Sequence, residues 1–280
     1  MKTGSLLLLA CFAVHNTFSQ SLRYKPAQPG ISLSAYSLQQ QDPLSFTGNQ
    51  AALAQCKAAG IGLYGERRFM LGETSAYTLA ASIPTRLGNI GVELNYAGFR
   101  NFNENKIGLA YARKLGRSAD IGIQFNYYGY RVPAYGNAST INFEIGSILH
   151  LTDKLNVGLH VYNPVGGKLG KTSASLNSGK EKLAASYKMG LGYDASDKFF
   201  IGSEIIKEED KPVNVIAGFQ YQFAKQFFAK AGFISESGSV YAGAGVGWKN
   251  LRLHISSAYH PQLGFSPGIL LIMNFKPAGA

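Results

Sequence analysis

The chain has 280 residues and a mass of 30.2 kDa, with 46% hydrophobic and only 15% charged residues, 33 glycines, and 17 Phe beside 16 Tyr. That apolar content can bury a core, which excludes disorder. A mean hydropathy of -0.03 and the absence of an apolar run approaching the roughly 18–20 residues of a spanning helix exclude a helical membrane protein.

The first residues read as an export signal. Lys2 supplies a positive start, Leu6 to Val14 an apolar stretch, and Thr17-Phe18-Ser19 a small-x-small cleavage site, so 1–19 is expected to be removed and the mature chain to begin near Gln20. Leu8-Leu9-Ala10-Cys11 is a weaker lipoprotein signal, because cleavage before Cys11 would leave too short an apolar stretch. Loss of Cys11 leaves Cys56 alone, so neither a disulfide framework nor a cysteine-rich zinc site is available. On an exported chain the net charge of +11 points to anionic lipid head groups or acidic partners, with no role for nucleic acid.

Residues 20–58 form the second unit. Pro26, Pro29, Pro43 and the run Gln39-Gln40-Gln41 suggest extended chain, and Asn49-Gln50-Ala51-Ala52-Leu53-Ala54 a short helical turn capped by Thr47 or Asn49. This unit is read as a plug in or beneath a lumen. A flexible periplasmic leader and an extra strand over Ile31–Leu38 are the alternatives.

From 59 to 280 one pattern repeats. Segments near 59–65 and 74–83 are followed by Ile90-x-Val92-x-Leu94-x-Tyr96, Ile107-x-Leu109-x-Tyr111, Ile121 to Tyr127, Ile141 to Ile145 and Leu155 to Val161. The same alternation returns at Leu183 to Tyr193, Phe199-x-Ile201, Val213 to Phe223, Phe227 to Phe233, Val240 to Trp248, Leu251 to Ile255 and Ile269 to Phe275. Period two predicts about fourteen strands, with 12–16 as the range. Tight turns at 84–89, 116–119, 152–154, 194–197, 224–226 and 249–250 alternate with longer connections at 66–73, 98–104, 131–138, 163–181, 207–211, 235–239 and 260–268. That alternation is expected of an up-and-down antiparallel meander whose two ends face different surroundings. Gly91, Gly122, Gly158, Gly202 and Gly232 each follow a short turn on the non-apolar face, where the interior is crowded or the strand coils strongly.

The second face of these strands is Gly, Ala, Ser, Asn and Gln with single charges, too poor in charge for a solvated exterior of a soluble sheet. Tyr96, Tyr111, Tyr127, Tyr193, Tyr221, Phe223, Trp248 and Tyr259 gather near strand ends, where interfacial girdles lie. The expected fold is therefore all-β: a closed transmembrane β-barrel of an outer membrane, with a short N-terminal plug and outer-membrane lipid as its surroundings.

The stretch Asp42-Pro43-Leu44-Ser45-Phe46-Thr47-Gly48-Asn49-Gln50-Ala51-Ala52-Leu53 ahead of a Gly- and aromatic-rich barrel resembles the N-terminal signature of FadL-like outer-membrane barrels, with Gln50 where those families carry Pro. These include the PorV/PorQ members of type IX secretion, and the Gln41-Asp42-Pro43 start is also similar to PorP/SprF proteins. The FadL-like resemblance implies a plugged channel for small hydrophobic ligands. The secretion-associated resemblance implies a barrel that docks secreted proteins or secretion-system subunits, here through loops such as 163–181 and 260–268.

Catalytic signatures are missing. Gly170-Lys171-Thr172 lacks the first glycine of a phosphate loop, since residue 165 is Val, and Gly243-x-Gly245-x-Gly247 has the wrong spacing for a dinucleotide site. His150, His160, His254 and His260 are too dispersed for a metal site, and no cofactor is expected. A lipid hydrolase with His150 as base is the remaining enzymatic reading, without an assignable Ser or acid. The alternation instead places Glu93, Asn95, Gln124, Asn126, Asn142, Glu144, His160, Lys188, Glu204, Gln220, Lys230, Arg252 and His254 in the lumen, as ligand or plug contacts or as lumen packing. Inward-facing Ile216 and Phe228 suggest an apolar pocket.

Overall fold

In the computed structural model, residues 29–40, 42–133, 136–167, 170–171, 183–209 and 211–275 are described. The expected signal peptide, and residues 20–28 of the second unit, lie outside them.

The strands run β1 (Gly60–Arg67), β2 (Ser75–Pro84), β3 (Asn89–Phe99), β4 (Phe102–Leu115), β5 (Ala119–Val132), β6 (Gly136–His150), β7 (Leu155–Tyr162) and β8 (Gly170–Lys171). They continue as β9 (Ser186–Ser196), β10 (Phe199–Glu208), β11 (Asn214–Tyr221), β12 (Phe227–Ile234), β13 (Ser239–Trp248), β14 (Leu251–His260) and β15 (Gly264–Asn274). Each of fourteen strands pairs antiparallel with both neighbours, and β15 returns to β1 from Gly60↔Asn274 to Glu66↔Gly268. The two-residue β8 stands aside, pairing only with Ala138 and Ser139 of β6. The barrel is closed, so no ladder edge is left without backbone partners.

Alternation fixes which way each side chain points. On the outer face Ile107, Leu109, Phe125, Ile141, Ile205, Ile255 and Ile269 are exposed, and the aromatics expected near strand ends, from Tyr96 to Tyr259, lie on this face with them. Tyr111, Tyr193, Tyr221 and Trp248 stand toward the short-turn end, and Tyr96, Tyr127 and Tyr259 toward the other.

Two expectations about the connections change. The stretches 98–104, 131–138 and 260–268 are largely strand: only residues 100–101 separate β3 from β4, 133–135 separate β5 from β6, and 261–263 separate β14 from β15. Gly98 makes the first turn feasible with φ +107°, where a side chain would collide with the Phe102 carbonyl. The 163–181 connection stays long, though 168–169 and 172–181 lie outside the described residues. Leu183–Ala185, expected to begin a strand, precede β9 and bury themselves, Leu183 packing on Tyr128 and Ala138.

The N-terminal segment lies inside the barrel at its short-turn end. It is a chain of tight turns: an α-turn at Pro29–Ser32, then 3₁₀ turns at Leu33–Tyr36, Ser45–Thr47 and Gln50–Gln55. Ile31–Leu38 is thus not a strand. Short polar side chains nucleate the turns: the Asp42 carboxylate accepts from the Leu44 and Ser45 N–H groups at 2.9 Å each, and the Asn49 side chain accepts from Ala51 N–H at 3.0 Å. Leu44, Phe46 and Leu53 then form a core with Ala80, Ala110, Ala112, Leu270 and Ile272 of the inner wall. Burying each of the larger ones contributes about 1.5–3 kcal/mol.

The wall glycines explain the fit. A Cβ at Gly62 would lie 2.6 Å from Leu44, and at Gly91 2.9 Å from Leu53. One at Gly122 would strike the Gln50 backbone, at Gly146 the Asn49 side chain, and at Gly158 or Gly190 the Tyr36 ring. These glycines are where wall backbone and segment touch directly.

We therefore expect Gly190→Val, which drives a branched side chain into the Tyr36 ring, to destabilise the folded barrel by about 1–3 kcal/mol. Adding Tyr36→Ala should recover part of that loss. The readout is the temperature at which the compact gel form converts to the unfolded one; equal midpoints for native and Gly190→Val would refute the contact.

Candidate functional site

The inner wall divides into two sectors, and the first, β3 to β10, is a hydrogen-bonded network. Lys106 of β4 sits between two carboxylates, its Nζ 3.0 Å from Glu93 Oε2 and 3.1 Å from Glu144 Oε1. Gln124 donates to Glu93 at 2.7 Å, Asn95 donates to Glu93 at 2.6 Å, and Asn126 donates to Glu144 at 2.8 Å and to Asn142 at 2.9 Å. His160 Nε2 lies 3.0 Å from the other oxygen of Glu144. Seven of the residues expected in the lumen thus meet here, on β3, β5, β6 and β7. All seven are buried.

The same sector holds the N-terminal segment. Gln50 Nε2 donates to Glu144 Oε2 at 2.6 Å, and Asn49 Nδ2 donates to the carbonyls of Ser147 and Leu159 at 3.2 and 3.1 Å. Glu204 of β10 accepts from the Ser32 hydroxyl at 2.7 Å and from the Tyr36 hydroxyl at 3.0 Å. Burial and the neighbouring Glu204 raise the Tyr36 pKa well above its usual value, so Tyr36 stays a donor. Lys188 of β9 donates to the Gly48 carbonyl at 3.4 Å.

Several anchoring residues escape a reading by residue type alone. Asp194 accepts from the Ser37 hydroxyl at 2.6 Å and the Leu38 N–H at 2.8 Å; Asn89 donates to the Leu53 and Cys56 carbonyls, and Asn156 to that of Tyr36. Lys106 is the notable omission. It has the parity of Gly108 and Ala110, and carrying the alternation one step back from Ile107 would have placed it inside.

The second sector, β11 to β14, is different. Gln220, Lys230 and Arg252 are half-buried and His254 is buried there. His254 stacks on Phe228 with ring centroids 5.6 Å apart, and Lys230 Nζ lies 5.9 Å from the centre of the Phe228 ring.

Two cavities flank this arrangement. One, of about 320 Å³, lies toward the long-connection end and reaches the rim at Phe69, Lys211, Glu236 and His260. Its lining interleaves Ile206, Ile216, Ile234, Leu183 and Pro212 with Lys106, Glu144, His160, Lys188 and Glu204: Ile206 is the cross-strand partner of Lys188, and Ile216 that of Glu204. The other, of about 540 Å³, lies toward the short-turn end among Gln220, Gln222, Lys225, Phe228, Lys249 and Arg252. Of the two apolar residues expected to face inward, Ile216 lines the first and Phe228 the second.

His150, the residue considered as a hydrolytic base, is engaged at both ring nitrogens. Nε2 lies 2.9 Å from Asp120 and Nδ1 2.6 Å from Asn156. Neither nitrogen is left to receive a proton from a serine, and the pair serves to orient Asn156 toward Tyr36. No group of three or more His, Cys, Asp or Glu that could hold a metal occurs among the described residues.

The fold resembles that of a Pseudomonas aeruginosa FadL homologue, with a TM-score of 0.62 at 10% sequence identity over 84% of this chain and 95% of that one. The P. putida toluene transporter TodX gives the same values, and a deltaS2 mutant of that monoaromatic hydrocarbon channel gives 0.60 at 10% identity, covering 87% of this chain and 100% of the other. No family model matches the sequence, and no curated protein matches it. The chain has the barrel fold of the FadL-like proteins.

Replacing Lys106 by Met leaves two buried carboxylates facing each other and should cost about 3–5 kcal/mol. Replacing Gln50 by Ala, which removes one hydrogen bond to a charged group, should cost about 1.5–3 kcal/mol. Urea unfolding in detergent measures both, and a Lys106→Met loss no greater than that of Gln50→Ala would contradict the central place of the lysine.

Proposed function

We propose that this protein is a non-catalytic outer-membrane barrel that passively admits small molecules with a large apolar part. The observation that carries the reading is the cavity of about 320 Å³, whose lining brings Ile206, Ile216 and Ile234 together with Lys106, His160 and Lys188. An apolar body would lie on the isoleucines and a polar end would meet the charged residues among them, the usual division of labour in a ligand pocket. The volume is at the low end of pockets for drug-sized molecules, which range over roughly 300–1,000 Å³.

The apolar exterior supports membrane residence, since a closed ladder satisfies its own backbone and lipid then needs only apolar side chains. Most of the fourteen barrel strands reach or exceed the roughly 9–11 residues that cross a bilayer at a tilt. In this reading 1–19 directs export, 20–58 forms the plug and 59–280 the barrel. The fold likeness to TodX, a toluene transporter, fits a channel for small apolar solutes.

The second reading is a type IX secretion-associated component, favoured by the Asp42–Leu53 stretch through its resemblance to the PorV/PorQ proteins. Of its two expected docking loops, 260–268 contributes only the turn at 261–263. A pull-down with a tagged barrel separates the two readings: specific retention of exported proteins by the native chain would favour secretion.

Two measurements test the channel. The membrane-bound band should migrate differently with and without boiling, as a closed barrel does; a soluble periplasmic product without a shift would refute membrane residence. In liposomes, uptake of a fluorescent apolar probe should exceed that of empty vesicles and fall about tenfold or more with Ile216→Glu, which replaces an apolar lining residue with a charge. Equal uptake by the variant would remove the cavity from the path.

A further inference from the structure

The short turns differ in the charge they carry. Those after β6 and β9 balance themselves, with Asp153 beside Lys154 and Asp197 beside Lys198. Those after β11 and β13 hold Lys225 and Lys249, which line the cavity of about 540 Å³. The turns after β2 and β4 are unlike these. Arg86 stands in the first, Arg113 near the end of β4, and Arg117 in the second, and all three are exposed. The nearest acid in sequence, Asp120, is 2% exposed and points inward, with His150 Nε2 at 2.9 Å. None of the three arginines forms an ion pair or a side-chain hydrogen bond with a described residue.

The chain holds these arginines in neighbouring places. β3 is the strand between β2 and β4, and the Tyr111 hydroxyl donates to the Leu87 carbonyl at 2.8 Å, which ties the first turn to β4. Gly88 leaves room for that bond, since a Cβ there would lie 2.6 Å from the tyrosine oxygen. Arg113 follows Ile107, Leu109 and Tyr111 on the outer face and is the cross-strand partner of Ile121. It therefore stands where the apolar band ends, with Ile90, Leu109 and Tyr111 on the same face toward the middle of the wall.

Two leucines stand among the arginines: Leu87 is 76% exposed and Leu115 55% exposed. Exposed leucine beside arginine is the composition of a membrane interface. The apolar side chain enters the lipid there, and the long basic one carries its charge to the level of the phosphates.

We propose that Arg86, Arg113 and Arg117 form a binding site for the phosphate of an anionic glycerophospholipid, whose acyl chains lie on Ile90, Leu109 and Tyr111. The guanidinium fork matches two phosphate oxygens at once, which the ammonium of the lysines at the other turns does not. Arginines this close to an anionic leaflet also feel its surface potential, which fades within a Debye length. Short turns of outer-membrane barrels face the periplasm, so the lipid belongs to that leaflet. The site lines neither cavity; it rests on the membrane residence of the barrel and not on the uptake of apolar molecules.

The test is native mass spectrometry of the full-length barrel, purified in neutral detergent and mixed with equal amounts of phosphatidylglycerol and phosphatidylcholine. Phosphatidylglycerol should be retained over phosphatidylcholine by about fivefold or more. In Arg86→Gln/Arg113→Gln/Arg117→Gln the ratio should fall to about 1 with the heat-dependent gel shift kept, and Arg113→Gln alone should lower it at least about twofold. In Lys154→Gln/Lys198→Gln/Lys225→Gln, which removes the same charge from other turns, it should stay within about twofold of the native value. A native ratio near 1, the native ratio in the arginine variants, or an equal loss in the lysine variant would each overturn the proposal. So would displacement of the lipid by excess glycerol 3-phosphate, or retention of lipid A over phosphatidylglycerol. A gel-shifted barrel without the preference removes this site alone, whereas a soluble product without a shift removes membrane residence as well.

Discussion

Closure of the backbone ladder, with β15 returning to β1, is the constraint on which everything else in this molecule depends. Once each strand is paired on both sides, hydrogen bonding is complete within the wall, and side chains outside need contribute nothing polar. The apolar residues therefore go outward, and the usual core is displaced. What remains inside is a polar tube that the chain must fill or leave wet. It does both. The N-terminal segment supplies Leu44, Phe46 and Leu53 to a small core on one side, while the β11–β14 side keeps open space.

The filled side shows how charges are made tolerable in confinement. Lys106 neutralises two carboxylates at once, and the remaining oxygen sites of Glu93 and Glu144 accept from Gln124, Asn95, Asn126, His160 and Gln50. Such a network rigidifies because each member fixes the orientation of its neighbours. Gln50 belongs to it by reaching across from the N-terminal segment. A proline there would have suited the start of a helical turn, but could not have bonded Glu144. The segment is thus part of the charge network as well as a packing element.

Much of this was legible beforehand, for a definite reason. An outer face of Ile, Leu, Val and aromatics against an inner face of small residues is a strong period-two signal, and it located all fourteen barrel strands. Glycines after short turns also pointed to crowding, and Gly91, Gly122, Gly158 and Gly202 do meet the N-terminal segment or a neighbouring ring. The signal faded where the outer face leaves the apolar band. Asn101, Asn103 and Glu104 are polar and, with Phe102 alone among them, read as a loop, although β4 begins at Phe102. Lys106 was lost at the same boundary. Contacts such as Asn156 with Tyr36 join residues 120 apart in sequence, and no local pattern encodes them.

The sequence separation of the anchors sets an order on assembly. Ser32 waits for Glu204, 172 residues later, and Ser37 for Asp194, 157 residues later. The first part of the chain to emerge is therefore among the last to be fixed, since its partners belong to β9 and β10. Contacts at such range are slow to form, because the intervening loop must close first. Until then the glycine-lined half of the tube stays unoccupied, its carboxylates hydrated and its inner backbone in water. Seating the segment exchanges that water for Tyr36, Asn49 and Gln50. It makes the N-terminus a late keystone, through which the first-made residues report that the last-made strands are in register.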